Sequence, residues 1–387
     1  MKKILLLMTD MECGGVQISL LNFISALLKE NVDITLLLDE ARGEWMDRIP
    51  SNTKIKTIKY ACEGYHKLLR PHRKVNLLQD LIYHVVVHLV DKLYPKKEER
   101  STRYTFLLNH IELPSEEYDL AIDYHGYGFL TTSILAQKIK AKRKAVFIHD
   151  ENMDCMRMAE CDLSLIDKFY SVSKSCQRIF REKFPELKDK SDYFPNLMDI
   201  EGIKQKAKQP LEESLQHDVP VLVTVGRVMY QKGYDFAVEV AEELKKRNFK
   251  FKWYCVGDGM CMDEVKALIV DKNLENEFVM LGRKDNPYPY INAADLYVQT
   301  SRHEGFGLAI AEALILGKVV LSTDIECVRE QIQYGENGFV IPMDKMKFAD
   351  SIVGILSDKQ TFQNVEQIVK RNCTSNTADI RAIIEDD

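Results

Sequence analysis

No stretch of the chain approaches the roughly 18 uninterrupted apolar residues that a bilayer-spanning helix needs. The longest apolar tract near the middle, LIYHVVVHLV, is far too short and carries two histidines. Cysteine pairs at metal-ligand spacing are also missing. The nine cysteines form no C-x-x-C and no tight Cys/His group. An odd, scattered set of this kind argues for reduced thiols in the cytoplasm and against a disulfide scaffold or a zinc site. Nor is there an excess of positive charge. A formal net charge of −6 gives no electrostatic reason to expect nucleic acid as a partner.

What is present is the balance of a soluble globular protein, 45% hydrophobic and 29% charged residues. At 387 residues the chain is too long for one ordinary core and is expected to form two domains. The opening MKKILLLMTD has an apolar run of only Ile4 to Met8 before Asp10, which reads as a buried parallel strand rather than an export signal. A helical pattern (VQISLLNFISALLKE) and a second strand (VDITLLLD) follow, making one βαβ unit of a parallel sheet. The turn between them holds Gly14 and Gly15, where backbone N–H groups at a helix start favour an anion. It lacks the G-x-G-x-x-G spacing of a dinucleotide site, and a Gly-Gly pair is equally a plain tight turn.

Between His66 and Tyr104, nine Lys and Arg stand against four Asp and Glu, interleaved with leucines. Helices with solvated faces would explain this, and so would a surface resting on anionic lipid headgroups. Parallel-sheet elements resume with YDLAIDYHG, KAVFIHD and DKFYSVS, and a crossing between domains is expected near residues 195–205. Strands and helices then alternate again from VPVLVTVGR to KVVLST. The expected fold is α/β: two doubly wound, Rossmann-like domains, 1–200 and 201–387, the last helix crossing back to the first. Strand-end loops of both would face a central cleft, since ligands of such sheets bind at the carboxyl ends of strands.

Several residues of the second domain stand at those ends. Arg227 and Lys232 follow the strand VLVTV directly, a planar clamp and a flexible point charge suited to a diphosphate. Gly257, Gly259 and Gly282 keep neighbouring loops slim, with Arg283 beside the last. After LYVQTS comes SRHEGFGLAIAEALILG, in which Glu304 and Glu312 enclose seven residues without a charge. A solvated helix face is one reading. The other is that each carboxylate accepts hydrogen bonds from neighbouring hydroxyls of a sugar or ribose, because a Glu among Ala, Leu and Ile is costly without partners. Gly305 and Gly307 would leave backbone N–H groups open where the next helix begins.

SRHEGFGLAIAEAL resembles the E-x7-E motif of retaining glycosyltransferases of family 4, which have the GT-B fold. VTVGRVMYQKGYD, VGDGM, FVMLGR, INAADLYVQTS and GKVVLSTDIECVREQIQYGENGFVI follow in that family's order, so the resemblance covers residues 220–345. In the first domain the Gly-Gly turn, FIHD and YFPNLMD carry it. Bacterial enzymes of surface-polysaccharide assembly are the most similar in size and style. The resemblance implies a hexosyltransferase whose co-substrate is a nucleotide-sugar, UDP-linked by default, and whose acceptor is a glycan or a lipid-linked sugar. Arg227 and Lys232 would hold the donor diphosphate and Glu312 the ribose. Glu304 would contact the moving sugar with the backbone of Gly305, Phe306 and Gly307, and Leu308 would turn its N–H to the phosphates. Gly14, Gly226, Gly257, Gly282 and Arg283 would belong to the donor site, with Gly15 approaching a phosphate from the first domain. His149 would stand near sugar and acceptor. His125 is the rival for that role, and a lone histidine is also a common core residue.

The chain contains no D-x-D triplet, the mark of the metal-dependent glycosyltransferase fold, so a cationic clamp is expected in place of a metal, with no cofactor. The expected location is the cytoplasm, with a peripheral contact through residues 66–104 on the inner face of the membrane. A nucleotide-sugar epimerase of the same fold and a non-catalytic nucleotide-sugar-binding subunit are the alternatives.

Overall fold

The computed structural model describes residues 1–60, 108–126, 128, 130–153, 156, 162–216, 218–371 and 378–385. The basic segment 66–104, expected to meet a membrane, lies outside the described residues. Among the described residues no helix is long and apolar enough to cross a membrane. The chain divides into two compact units. One comprises Met1–Val172, Cys176–Phe194 and Asp379–Asp387, the other Ser173–Ser175 and Pro195–Ala378.

The first unit is built on a parallel sheet of β1 (Lys2–Met8), β2 (Val32–Leu38), β3 (Lys54–Thr57), β6 (Glu117–Asp123), β7 (Lys140–Ile148), β8 (Lys168–Ser171) and β9 (Ser191–Tyr193), in the order β3-β2-β1-β6-β7-β8-β9. A separate antiparallel pair, β4 (Lys59–Tyr60) and β5 (Ile111–Glu112), lies outside it. β1 is fully buried from Ile4 to Met8, because a parallel strand flanked by β2 and β6 and covered on both faces has no solvated side. Lys2 and Lys3 stay exposed at its start. Helix α1 (Gly15–Leu27) buries Leu20, Phe23, Ile24 and Leu27 on one stripe. α2 (Leu130–Gln137) follows β6, and α3 (Lys174–Lys183) follows β8. The final short helix, Arg381–Ile384, belongs to this unit: Lys2 Nζ donates to the Ile384 carbonyl at 2.8 Å, and Arg143 donates to that of Ile383.

The second unit holds a six-stranded parallel sheet of β10 (Val221–Val225), β11 (Lys252–Val256), β12 (Phe278–Gly282), β13 (Leu296–Gln299), β14 (Val320–Thr323) and β15 (Gly338–Ile341). Its order, β12-β11-β10-β13-β14-β15, reverses direction between β10 and β13. That reversal parts the loops above the two strands and opens a crevice at their carboxyl ends. The helices around it are α4 (Ile200–Lys206), α5 (Tyr234–Lys246), α6 (Met262–Asp271), α7 (Tyr288–Ala293), α8 (Leu308–Ile315), α9 (Glu326–Arg329), α10 (Lys345–Ser357) and α11 (Lys359–Arg371).

Trp253 on β11 anchors one face of this sheet. It is fully buried with Phe278, their ring centroids 5.3 Å apart. Its indole N–H donates to Thr224 Oγ1 at 3.0 Å, and that hydroxyl donates to the Val298 carbonyl at 2.6 Å. The polar edge of the ring is thus satisfied while its area fills the core. Trp253→Ala is expected to destabilise the unit by about 3–5 kcal/mol through the cavity it leaves, read as a lower urea midpoint at unchanged m-value.

Candidate active site

Three neighbouring strands of the second unit close on glycine: Gly226 follows β10, Gly257 follows β11 and Gly282 ends β12. The Gly226 N–H donates to the Val256 carbonyl at 3.0 Å, and the Gly257 N–H to the Gly282 carbonyl at 2.9 Å. A Cβ on Gly257 (φ +154°) would stand 1.9 Å from the Gly226 carbonyl oxygen, so only glycine fits this close approach. Gly282, also at positive φ, has open space where its Cβ would be. The carboxyl ends of β10, β11 and β12 therefore present bare backbone.

Across the switch point, the loop after β13 carries Glu304. Its carboxylate is buried and met by a cation: Lys232 Nζ donates to Oε1 at 2.7 Å and to Oε2 at 2.8 Å. Ser301 Oγ donates to Oε1 at 2.6 Å and Gln299 Nε2 to the same oxygen at 3.1 Å. The aliphatic stem of Lys232 passes over Gly226, its Cδ 3.7 Å from where a Cβ would be. Lys232 and Glu304 are 72 residues apart in sequence, and their pairing brings the loops after β10 and β13 together. Arg302 strengthens the same junction. Its guanidinium grips Asp235 through two nitrogens at 2.8 and 2.6 Å and stands 3.9 Å from the Tyr230 ring centroid.

Glu312 sits on α8, which starts after Gly307 (φ +84°). It too is buried, and Tyr288 on α7 donates its hydroxyl to Oε1 at 3.0 Å. Neither acid of the SRHEGFGLAIAEALILG stretch lies on a solvated face. Burial pushes the Glu312 carboxyl up to about 7, against the opposing effects of the Tyr288 hydrogen bond and the Lys206 charge. Gly305 and Gly307 are buried, and Phe306 and Leu308 are half-buried at the entry to α8. The Phe306 carbonyl is held by the Gln331 side chain. The Cys327 thiol donates to the Glu304 carbonyl at 3.3 Å.

Arg227 is exposed just past β10, with no ion pair among the described residues. Arg283 is exposed past β12, with its guanidinium 3.7 Å from the Asp285 carboxylate. In the first unit, Gly14 caps α1 in extended conformation and Gly15 is exposed as its first residue. His149 follows β7, buried, its ring 5.1 Å from Tyr124 and 5.8 Å from Phe147. Its Nε2 lies 2.8 Å from the Tyr124 carbonyl. That oxygen can only accept, so Nε2 carries the proton. Burial pushes the imidazole down to about 3; the Tyr124 carbonyl opposes this and the charge of His125 adds to it. His149 is thus neutral at physiological pH. Among the described residues no group of three His, Cys, Asp or Glu side chains could hold a metal ion.

The residues that sequence reasoning missed are partners: Gln299, Ser301, Tyr288 and Cys327. The signal for Gln299 and Ser301 was their polarity within a strand end that must be buried on both faces.

The arrangement of acids, cation and glycine-ended strands coincides with residues 219–358, which match the family model for glycosyl transferases group 1. Over those residues the chain is similar to group 1 glycosyl transferases. Its sequence is similar to the N-acetylgalactosamine-N,N'-diacetylbacillosaminyl-diphospho-undecaprenol 4-alpha-N-acetylgalactosaminyltransferase of Campylobacter jejuni, 31% identical over 40% of this chain and 41% of that protein. It is also similar to the poly(glycerol-phosphate) alpha-glucosyltransferase of Bacillus subtilis, 30% identical over 66% of this chain and 34% of that protein. The chain thus spans less than half the length of the curated relatives it matches. The crystal structure of Anabaena HepE with UDP and glucose is similar over 100% of this chain and 98% of its own, with a TM-score of 0.68 at 18% identity. That likeness shows the fold, GT-B.

The raised Glu312 carboxyl has a consequence for stability. Folded, it holds its proton up to about pH 7, whereas in the unfolded chain it ionises around the ordinary glutamate value of 4.5. Its contribution is therefore complete below the unfolded value and is lost as pH rises toward 7. Glu312→Gln is expected to flatten the decline of stability across that window by about 2–3 kcal/mol, measured as unfolding free energy against pH.

Proposed function

We propose that this chain is a retaining hexosyltransferase that moves a sugar from a nucleotide-diphosphate sugar, UDP-linked by default, to a glycan or lipid-linked acceptor in bacterial cell-surface polysaccharide synthesis. The observation that carries this reading is the pairing of half-buried Lys232 with buried Glu304 beside the bare strand ends of Gly226, Gly257 and Gly282. A base and ribose can lie against such backbone, with the Glu312 carboxyl for the ribose hydroxyls. Lys232 and the exposed Arg227 supply positive charge for the diphosphate, which gains charge as the glycosidic bond breaks. The N–H groups at the start of α8, Leu308 first, add to it. His149, as a neutral imidazole, is proposed for the sugar and acceptor side. The names of the Campylobacter jejuni and Bacillus subtilis relatives support the acceptor class, and the UDP in the HepE crystal structure supports the donor.

Retaining glycosidases use a carboxylate nucleophile. Glu304 is poorly suited to that role, because Lys232, Ser301 and Gln299 already draw on its lone pairs. Attack is instead proposed on the face the diphosphate leaves, through an oxocarbenium-like transition state. The acceptor oxygen bonds the anomeric carbon as the carbon–oxygen bond to the diphosphate breaks, and a departing phosphate oxygen takes the acceptor proton. No metal or cofactor is called for in this scheme.

A hydrolysis screen across common nucleotide-sugars tests the reading. Release of nucleotide diphosphate from one of them is expected, with Lys232→Ala and Glu304→Ala each reducing turnover by about 100-fold or more in folded protein. Full activity in both variants would overturn the site, and tight donor binding without any turnover would favour the non-catalytic alternative.

For the peripheral membrane contact, the net positive charge of residues 66–104 is the supporting observation. Neutralising Lys96, Lys97 and Arg100 is expected to weaken co-sedimentation with vesicles containing anionic lipid. Equal sedimentation of variant and parent would remove this part of the proposal.

A further inference from the structure

Residues 297, 299 and 301 alternate along the end of β13 and share one face of the sheet. All three are polar, and all are almost completely buried in a strand flanked by β10 and β14. Such a row costs stability unless every group is satisfied. Here the satisfaction runs in one direction. The Tyr297 hydroxyl lies 2.8 Å from Gln299 Oε1, and 3.3 Å from the Val225 carbonyl. Gln299 Nε2 spends one hydrogen on Ser301 Oγ at 2.7 Å and the other on Glu304 Oε1 at 3.1 Å. Ser301 Oγ, accepting from Gln299, donates its own hydrogen to Glu304 Oε1 at 2.6 Å.

The Gln299 amide can take only this orientation. Flipped, its carbonyl oxygen would face the Glu304 carboxylate and its nitrogen would meet a tyrosine hydroxyl that could no longer donate to it. The chain of donors therefore ends on one oxygen. Among the described residues, Oε1 accepts from Ser301, Gln299 and Lys232, while Oε2 accepts only from Lys232. Two lone pairs are spent on one side of the carboxylate, and acceptor capacity remains on the other.

From this asymmetry we infer that Gln299 is a positioning residue for sugar transfer: with Tyr297 and Ser301 behind it, it fixes the plane of the Glu304 carboxylate and reserves Oε2 for a hydroxyl of the transferred sugar. The inference rests on the reading of Glu304 as the sugar-contacting acid. It adds which oxygen makes the contact and what holds it there.

The test pairs kinetics with a crystal structure. Gln299→Leu keeps the side-chain volume and deletes the amide. With the nucleotide-sugar hydrolysed fastest by the parent protein, its kcat is expected to fall about 10- to 100-fold, with KM changing less than about threefold. Tyr297→Phe removes only the hydroxyl that orients the amide. It is expected to show the same split at smaller amplitude, and it remains informative should Gln299→Leu fail to fold. In the crystal structure of either variant the Glu304 carboxylate is expected to turn out of its present plane while Lys232 stays within reach. An unmoved carboxylate, or a loss confined to KM, would overturn the positioning role. Absence of turnover by the parent protein on every nucleotide-sugar would instead overturn the proposed function, and the orientation of Glu304 in the variant crystals would still decide the positioning.

Discussion

A carboxylate withdrawn from water at the carboxyl end of a buried parallel strand sets the terms for the rest of the second unit. An isolated charge there would be prohibitively costly, so Glu304 must be met by a cation and by hydrogen-bond donors. The cation comes from the loop after β10 and the donors from β13 itself. These partners meet because the strand order places β10 and β13 side by side although more than sixty residues separate them in sequence. Arg302, Asp235 and Tyr230 then tie the two loops together at the rim. The switch point of the sheet is thus an electrostatic junction as well as a crevice.

Such a pair is a device for geometry more than for stability. Buried ion pairs rarely outperform well-packed apolar residues of the same volume. What this one supplies is a fixed cation, Lys232, held over the bare backbone of Gly226, and a fixed acid next to it. A charged ligand entering such a place meets dipoles and charges already oriented, and little reorganisation is left for it to drive. Glu312 differs. It has Tyr288 and the outlying charge of Lys206 but, among the described residues, no direct cation, and burial drives its carboxyl up. The two acids that flank one apolar run therefore live in opposite electrostatic circumstances.

Much of this was legible in the residues. Buried strands such as KILLLM and VLVTV announce parallel sheets because they contain nothing for solvent. The charge-free gap between Glu304 and Glu312 announces two acids placed for a reason other than solvation. The pairing of Lys232 with Glu304 was not legible, since it depends on which strands become neighbours, and separation in sequence does not encode that. The roles of Gln299, Ser301 and Tyr288 were hidden for a related reason. A polar residue inside an apolar strand signals that a partner exists without saying which, and only the register of β13 between β10 and β14 supplies the answer.

The return of residues 379–385 to the first unit bears on how the chain comes to be folded. Lys2 and Ile384 are partners in one compact body, with the whole second unit spelled out between them. During synthesis the glycosyltransferase domain therefore emerges complete before the first unit has its last helix. Domains generally fold as units, so the first sheet, with β1 between β2 and β6, lacks this helix until the second unit has been made. The closing contact spans 382 residues of sequence, and contacts of large separation are slow to form. The first unit is thus expected to gain this last helix only after the second unit has been synthesised.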